Sequence, residues 1–244
     1  MKSNLRIRWA LVACLCFPLL SRAQSTQTRN VVSVRELSIP RKALDAFNQG
    51  AELLVRTDAA RSVPYFQRAI AVFPKYYEAY YEMGIADLKL WRITDAEQAF
   101  RKSIEVSGGQ YAYSLFALGA VLDYQGKFVE AEEVIRRGLY LDVTAWSGHY
   151  YLGHALFRLN RFEEAEKSVR EALRQKNNSA EALRLLADIH SREKDYRALL
   201  NDLDAYLKLD PDSPTGVRAK ALRDSVHRLL AESQSTTALA EPQP

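Results

Sequence analysis

Residues 77–110 read YEAYYEMGIADLKLWRITDAEQAFRKSIEVSGGQ, and key positions of this segment recur along the chain. Its glycine recurs along the chain every 34 or 35 residues, in the series Gly50, Gly84, Gly119, Gly153 and then Ala187. A second series keeps the same spacing and consists of Ser62, Ala96, Ala131, Ala165 and Leu199. A third series, rich in helix breakers, consists of Pro74, Gly108, Val143, Asn177 and Pro211. Three series in one phase predict a repeat protein.

Each repeat is predicted to be a pair of amphipathic helices. The second helix starts near the small residue of the second series, and an apolar residue follows four positions later: Phe66, Phe100, Ile135, Val169 and Leu203. Residues four apart lie on one face of a helix, so each pair marks the buried face. The small residues of the first series let the two helices approach closely, and the third series ends the pair.

A period of 34 residues in two helices resembles the tetratricopeptide repeat (TPR) family. The quoted stretch matches the family pattern at Tyr80, Met83, Gly84, Ala96, Phe100 and Ser103. A later repeat matches it at Leu152, Gly153, Ala165, Val169 and Ala172, and the first repeat at Gly50, Phe66, Ala69 and Pro74. The chain departs from the pattern at Ser62, Gly138 and Leu199, where the family prefers alanine, and at the additional residue Tyr111. The resemblance implies an all-α fold, a right-handed superhelical solenoid of about five TPR helical hairpins with a C-terminal capping helix.

The repeats divide the chain into a central domain with short flanking segments. We predict a signal peptide over residues 1–23, a flexible leader over 24–39, the TPR domain over 40–232 and a disordered tail over 233–244. Within the domain we place repeats at 43–76, 77–110, 112–145, 146–179 and 180–213, followed by a cap helix at 214–232. The cap would hide the apolar face of the last repeat with a stripe of apolar residues from Val217 to Leu230.

The N-terminus predicts export from the cytoplasm. Basic residues precede an apolar run over residues 9–20, and a site of the small-x-small type, Ser21-Arg22-Ala23, follows it. This is the layout of a secretory signal peptide, with cleavage expected after Ala23. The apolar run is too short for a transmembrane helix, which needs about 20 such residues. An alternative is lipidation of Cys14, which ends a lipoprotein-like sequence, LVAC.

The charge and the cysteines belong largely to this N-terminal segment. The formal net charge is +4, but residues 1–23 contain Lys2, Arg6, Arg8 and Arg22 and no acidic residue, so 30 basic and 30 acidic residues remain after cleavage. That balance removes the electrostatic case for nucleic acid binding. Both cysteines, Cys14 and Cys16, also lie in the segment, and the mature chain therefore has no thiol for a disulfide or a nucleophile.

The sequence predicts no enzymatic activity, no cofactor and no metal site. His149 and His154 are five residues apart, which does not place them on one helical face, and the chain has no HExxH pattern. A phosphate-binding glycine loop and a nucleophile elbow are also missing from the sequence.

The resemblance also implies where a partner would bind. In the family the first helices line a concave groove, and the residue three before the helix glycine points into it. The corresponding residues here, with three neighbours, form the predicted partner-binding groove: Phe47, Tyr81, Phe116, Tyr150, His154, Phe157, Arg158 and Arg184. The alternative is that the rings only pack adjacent helices together, since aromatic residues are common in protein cores.

We therefore predict a non-catalytic protein-protein interaction scaffold or adaptor of the bacterial cell envelope, periplasmic or secreted. Its partners are other proteins, with membrane contact only through the signal peptide or a lipidated Cys14. Two alternatives remain open: a glycan- or peptidoglycan-binding accessory module of an envelope enzyme complex, because exposed aromatic rings can stack on sugars, and an outer-membrane assembly lipoprotein.

Overall fold

The structure is a computed structural model that describes the backbone of residues 38–240 and the side chains of residues 38–232. The predicted signal peptide, the predicted cleavage after Ala23 and the alternative lipidation at Cys14 lie outside the described residues. So do residues 24–37 of the predicted leader and residues 241–244 of the predicted tail.

All regular secondary structure within residues 38–240 is α-helical. The helices, named here in chain order, are α1 (Arg41–Val55), α2 (Ala59–Val72), α3 (Tyr77–Lys89), α4 (Ile93–Val106), α5 (Ala112–Tyr124), α6 (Phe128–Leu141), α7 (Trp146–Arg158), α8 (Phe162–Gln175), α9 (Ala180–Glu193), α10 (Tyr196–Leu209) and α11 (Pro214–Ala240). The predicted all-α class is thus confirmed. None of these helices combines the length and the apolar character that crossing a membrane requires.

The helices pack in consecutive order, as the repeat pattern predicts. The two helices of a repeat pack together in the pairs α1 with α2, α3 with α4, α5 with α6 and α9 with α10. Within the units, second helices also contact the first helix of the next repeat, as α2 does with α3, α4 with α5 and α8 with α9. Each predicted repeat span coincides with two helices, except that α1 begins at Arg41, before the first span.

Close approach within a pair depends on the small residues of the first series. A Cβ atom added to Gly84 would lie 2.6 Å from Cε1 of Phe100, far inside van der Waals contact. Phe100 and Ala96 are both buried on the facing helix. The residue four positions after the small residue of the second helix therefore fills the space that glycine leaves open.

The turn inside each repeat has a feature that the sequence did not lead us to predict. One residue in every turn adopts a left-handed backbone conformation, and these residues form a further series with the period of the repeat: Thr57, Trp91, Gly126, Asn160 and Lys194, with φ between 59° and 82°. In the second repeat the amide of Arg92 donates a hydrogen bond to the carbonyl oxygen of Asp87, which is typical of a helix end closed by a left-handed residue. Only one of the five residues is glycine, the type that adopts this conformation without strain.

The described chain forms two compact units, and the boundary lies within α7. The first unit ends at Tyr151 and the second begins at Leu152. In the second unit, buried Leu199, Leu203 and Tyr206 of α10 form one apolar cluster with Ala219 and Val226 of α11.

Helix α11 covers the last repeat with fewer residues than predicted. Val226 is buried and Leu230 packs against the apolar cluster, but Val217, Leu222 and Leu229 of the predicted stripe are exposed. The helix also continues to Ala240, beyond the predicted cap end at residue 232. Residues 233–240 contain no glycine or proline to stop a helix, and the first proline beyond them is Pro242.

Candidate functional site

The four aromatic residues that were predicted to line a groove are buried. Phe47, Tyr81, Phe116 and Tyr150 all lie in the first unit, and the exposed fraction of the Tyr81 side chain is 1%. A partner cannot reach such rings without displacing other residues. Such burial is what the alternative interpretation expects, in which the rings only pack adjacent helices together.

Contacts with neighbouring rings show what the first two of these residues do. The ring centroid of Phe47 lies 5.8 Å from that of Phe66 and 4.9 Å from that of Tyr76. Tyr81 lies 5.8 Å from Phe100, the residue that faces the glycine of the same repeat. These centroid distances are within the range of stabilising aromatic pairs. Both rings hold a first helix against its own second helix.

Phe116 explains one of the departures from the family pattern. A Cβ atom added to Gly138 of α6 would lie 2.5 Å from Cε1 of Phe116, so the alanine that the family prefers there would collide with this ring. Glycine at position 138 therefore makes room for the ring of Phe116. Tyr150 has its ring 5.4 Å from that of Tyr151, and both residues are buried.

The additional residue of the second repeat enters an aromatic cluster. The ring of Tyr111 lies 4.8 Å from Tyr77, 5.5 Å from Tyr81 and 5.5 Å from Tyr113. Tyr113 is the most accessible of these rings, and partial burial together with the nearby Asp142 raises the pKa of its phenol. The insertion thus extends the packing around Tyr81.

The remaining four predicted residues lie in the second unit and are accessible. Arg158 is exposed at the end of α7, while His154, Phe157 and Arg184 are partly exposed. The Arg184 side chain retains 38% of its exposure although it occupies the same repeat position as the four buried rings. The predicted binding residues therefore divide into a buried set in the first unit and an accessible set in the second.

His154, Phe157 and Arg184 interact with two charged residues of α9, Asp188 and Arg192, and Arg158 follows Phe157 at the end of α7. Nη1 of Arg184 lies 3.0 Å from Oδ2 of Asp188, and the guanidinium of Arg192 lies 5.9 Å from the ring centroid of Phe157. The second distance is that of a cation–π contact. We call this set of six residues the charged face: His154, Phe157, Arg158, Arg184, Asp188 and Arg192.

The charged face is positive on balance. It carries three arginines against the single carboxylate of Asp188. Burial raises the pKa of Asp188, while the charges of Arg184, His154 and Arg192 act in the opposite direction. Arginine is well suited to recognising a carboxylate, because its planar guanidinium can donate two parallel hydrogen bonds. The face can therefore bind an acidic group next to the ring of Phe157.

A buried histidine of the second unit lies between two carboxylates that the sequence did not predict as its partners. Nδ1 of His190 lies 2.5 Å from Oδ2 of Asp202, and its Nε2 lies 3.3 Å from Oε1 of Glu166. Burial raises the pKa of Asp202 against the opposing effect of the hydrogen bond with His190. These partners are 12 and 24 residues away in the sequence, on α10 and α8, so spacing along one helix could not reveal them.

A scan against protein family models identifies the repeats independently. The model described as "Tetratricopeptide repeat" matches residues 47–113 and residues 150–214. The two matches together cover more than half of the chain.

Comparisons with individual proteins give the same fold. Mouse tetratricopeptide repeat protein 16 is 27% identical over 181 residues, which cover 71% of this chain and 24% of the mouse protein. The chain thus spans about a quarter of that relative. PilF of Pseudomonas aeruginosa has a TM-score of 0.69 at 15% identity, covering 81% of this chain and 88% of PilF. The TPR protein YrrB, which has an unusual peptide-binding site, has a TM-score of 0.58 at 19% identity, covering 73% of this chain and 92% of YrrB.

Proposed function

Because this chain belongs to the tetratricopeptide repeat family, whose fold generally supports protein-protein interaction, we propose that it is a non-catalytic scaffold that binds a segment of a partner protein at the charged face. The proposal rests on one observation: three of the four accessible residues, His154, Phe157 and Arg184, interact with Asp188 or Arg192 of α9. The four buried rings are excluded from the proposed site because they pack the first unit together.

The charges and the ring of the face define the partner segment. Arg158, Arg184 and Arg192 would pair with carboxylates, and Phe157 offers an apolar surface beside them. We propose an acidic segment with an apolar or aromatic residue close to its carboxylates. YrrB, a TPR protein of similar fold, has a peptide-binding site, and this supports the proposal that a protein segment is bound here.

The best test is a charge reversal on the face with a matched control. The variant Arg158→Glu/Arg184→Glu/Arg192→Glu and the control Arg174→Glu/Arg197→Glu/Arg228→Glu change the net charge equally, and all three control arginines are exposed. Crosslinking capture from envelope extracts, after circular dichroism shows that both variants are folded, should lose a specific partner only with the first variant. Equal capture by the two variants would place the contact elsewhere.

We propose in addition that the protein works outside the cytoplasm, in the periplasm or after secretion. Support comes from the signal-like layout of residues 1–23. N-terminal sequencing of the mature protein from its native host should begin at Gln24. A mature N-terminus at a lipid-modified Cys14 would instead indicate a lipoprotein, and an intact Met1 in the cytoplasmic fraction would contradict export.

A further inference from the structure

Three side chains of the second unit converge on one point beside α9. They are Glu166 of α8 and His190 and Glu193 of α9, and the atoms through which they could bind a metal all lie within 4.8 Å of one another. His190 and Glu193 are three residues apart, so they project from the same face of the helix. Glu166 reaches this point from the neighbouring helix.

The imidazole of His190 is held as metal-binding histidines usually are. Its side chain is only 5% exposed, and Nδ1 faces the carboxylate of Asp202 at 2.5 Å. This contact turns Nε2 toward Glu166, at 3.3 Å. A carboxylate that accepts the N–H of one imidazole nitrogen fixes the tautomer and orients the other nitrogen toward a metal.

We propose that Glu166, His190 and Glu193 bind a divalent transition metal of the zinc type, with Asp202 positioning the imidazole. One nitrogen and two carboxylate oxygens match the ligands that Zn²⁺ takes in proteins, and a water completes four-coordination. Magnesium and calcium prefer all-oxygen sites, so the imidazole discriminates against both. The sequence predicted no metal because the histidines were judged by their spacing along the chain, whereas Glu166 lies on α8 and His190 on α9.

Glu166 is held in place by Arg170, which lies one turn further along α8. Nη2 of Arg170 lies 2.6 Å from Oε1 of Glu166. A carboxylate offers about four lone-pair positions on two oxygens, so Arg170 and a metal can share it. Since Arg170 competes for this carboxylate, its removal strengthens metal binding.

Metal binding at this point joins α8 to α9. Because the ligands come together only in the folded chain, bound metal stabilises the second unit in proportion to its free concentration and affinity. The exposed position of Glu193 gives the ion an entry from solvent. The metal site and the charged face share no residue, so the metal proposal can be tested independently of the proposed function.

Isothermal titration with Zn²⁺ tests the site on the full chain. Cys14→Ser/Cys16→Ser serves as the background, because both thiols could bind zinc on their own. We expect one ion per chain and a rise in the thermal midpoint when zinc is added. Glu193→Gln, at an exposed position that folding does not need, should weaken binding about tenfold, and His190→Gln should weaken it about a hundredfold or more. Arg170→Met should strengthen it.

Two further variants distinguish a ligand from a structural residue. Asp202→Asn removes the orienting carboxylate and should weaken zinc binding by about tenfold to a hundredfold. His227→Gln removes an exposed histidine of α11 and should leave binding unchanged. The proposal is overturned if the background protein binds no zinc, or if folded Glu193→Gln and His190→Gln bind it as tightly as the background protein.

Discussion

The first helices of the two units carry equivalent repeat positions that differ in accessibility. Three residues before the small helix residue, the first unit has Phe47, Tyr81, Phe116 and Tyr150, all buried, whereas the second has Arg184 with 38% of its side chain exposed. Repeat register thus predicts which face of a helix a residue occupies. Whether that face is open depends on the neighbouring side chains. The first unit uses this position for packing, and the second presents it to solvent.

The largest expected difference in the free energy of unfolding is between truncating a buried ring of the first unit and truncating the partly exposed arginine at the same repeat position of the second. Tyr81→Ala removes a buried ring that contacts Phe100, and we expect it to lower the free energy of unfolding by about 3–5 kcal/mol. Arg184→Ala removes a partly exposed side chain and should change it by less than about 1 kcal/mol. Urea denaturation followed by circular dichroism measures both. Similar losses in the two variants would contradict the division between the units.

Adding a methyl group where helices of the first unit meet should have the next largest effect. Gly84→Ala places a Cβ atom against the Phe100 ring, and overpacking of this kind costs about 1–3 kcal/mol. The second unit already has alanine at this repeat position, Ala187. The double variant Gly84→Ala/Phe100→Leu should lose less stability than the sum of the two single variants. Strict additivity would show that the methyl group and the ring do not meet.

Asp87 should make the stability contributed by the first unit depend on pH. Burial and then Asp95 raise its pKa to about 6, against the opposing effect of Arg92. Since this pKa exceeds the unfolded value, the folded protein binds the proton more tightly, and stability falls as the pH rises from about 4 to about 6. Asp87→Asn removes this penalty and should raise the free energy of unfolding by about 1–3 kcal/mol at pH 8, with little effect at pH 4.

Asp188 provides the matched control in the second unit. Burial raises the pKa of Asp188 as well, but Arg184, His154 and Arg192 oppose the shift and about half of the side chain is exposed, so Asp188→Asn should show a weaker pH dependence than Asp87→Asn. Chemical denaturation of both variants at pH 4 and pH 8 checks this order. A gain for Asp87→Asn that is equal at the two pH values would rule out ionisation as its cause.

The turns are a place where the two units should behave alike, and here we expect the smallest effect. Thr57 in the first unit and Lys194 in the second both have positive φ, which costs a residue with a side chain about 1–2 kcal/mol. Thr57→Gly and Lys194→Gly should each raise stability by about 1 kcal/mol or less, because glycine also loses more entropy on folding. Thermal unfolding measures the gain in stability. A clear loss of stability in both variants would show that the positive φ does not strain these two residues.

The sequence sufficed to predict the repeat but not the site. A small residue and an apolar residue recur at the positions of Gly84 and Phe100 because the two helices of each repeat pack in the same way. The contact between Gly84 and Phe100 was therefore predictable. The burial of Tyr81 was not, because the repeat register gives the helix face but not the side chains that cover it, such as Tyr111. The contacts of His190 could not be predicted, because its partners come from other helices. Thr57 and Trp91 share a backbone conformation but no side-chain chemistry, so their series was hidden.

The aromatic rings of the first unit are shielded, whereas the residues of the charged face in the second unit are at least partly exposed. Hydroxyl-radical footprinting of the unmodified protein tests this directly, because it compares phenylalanines with one another and needs no substitution. We predict that Phe157 is oxidised much faster than Phe47 and Phe116, and that the three rates converge when the protein is unfolded in denaturant. Oxidation of Phe47 and Phe116 as fast as Phe157 in the folded protein would contradict the account and restore the aromatic groove.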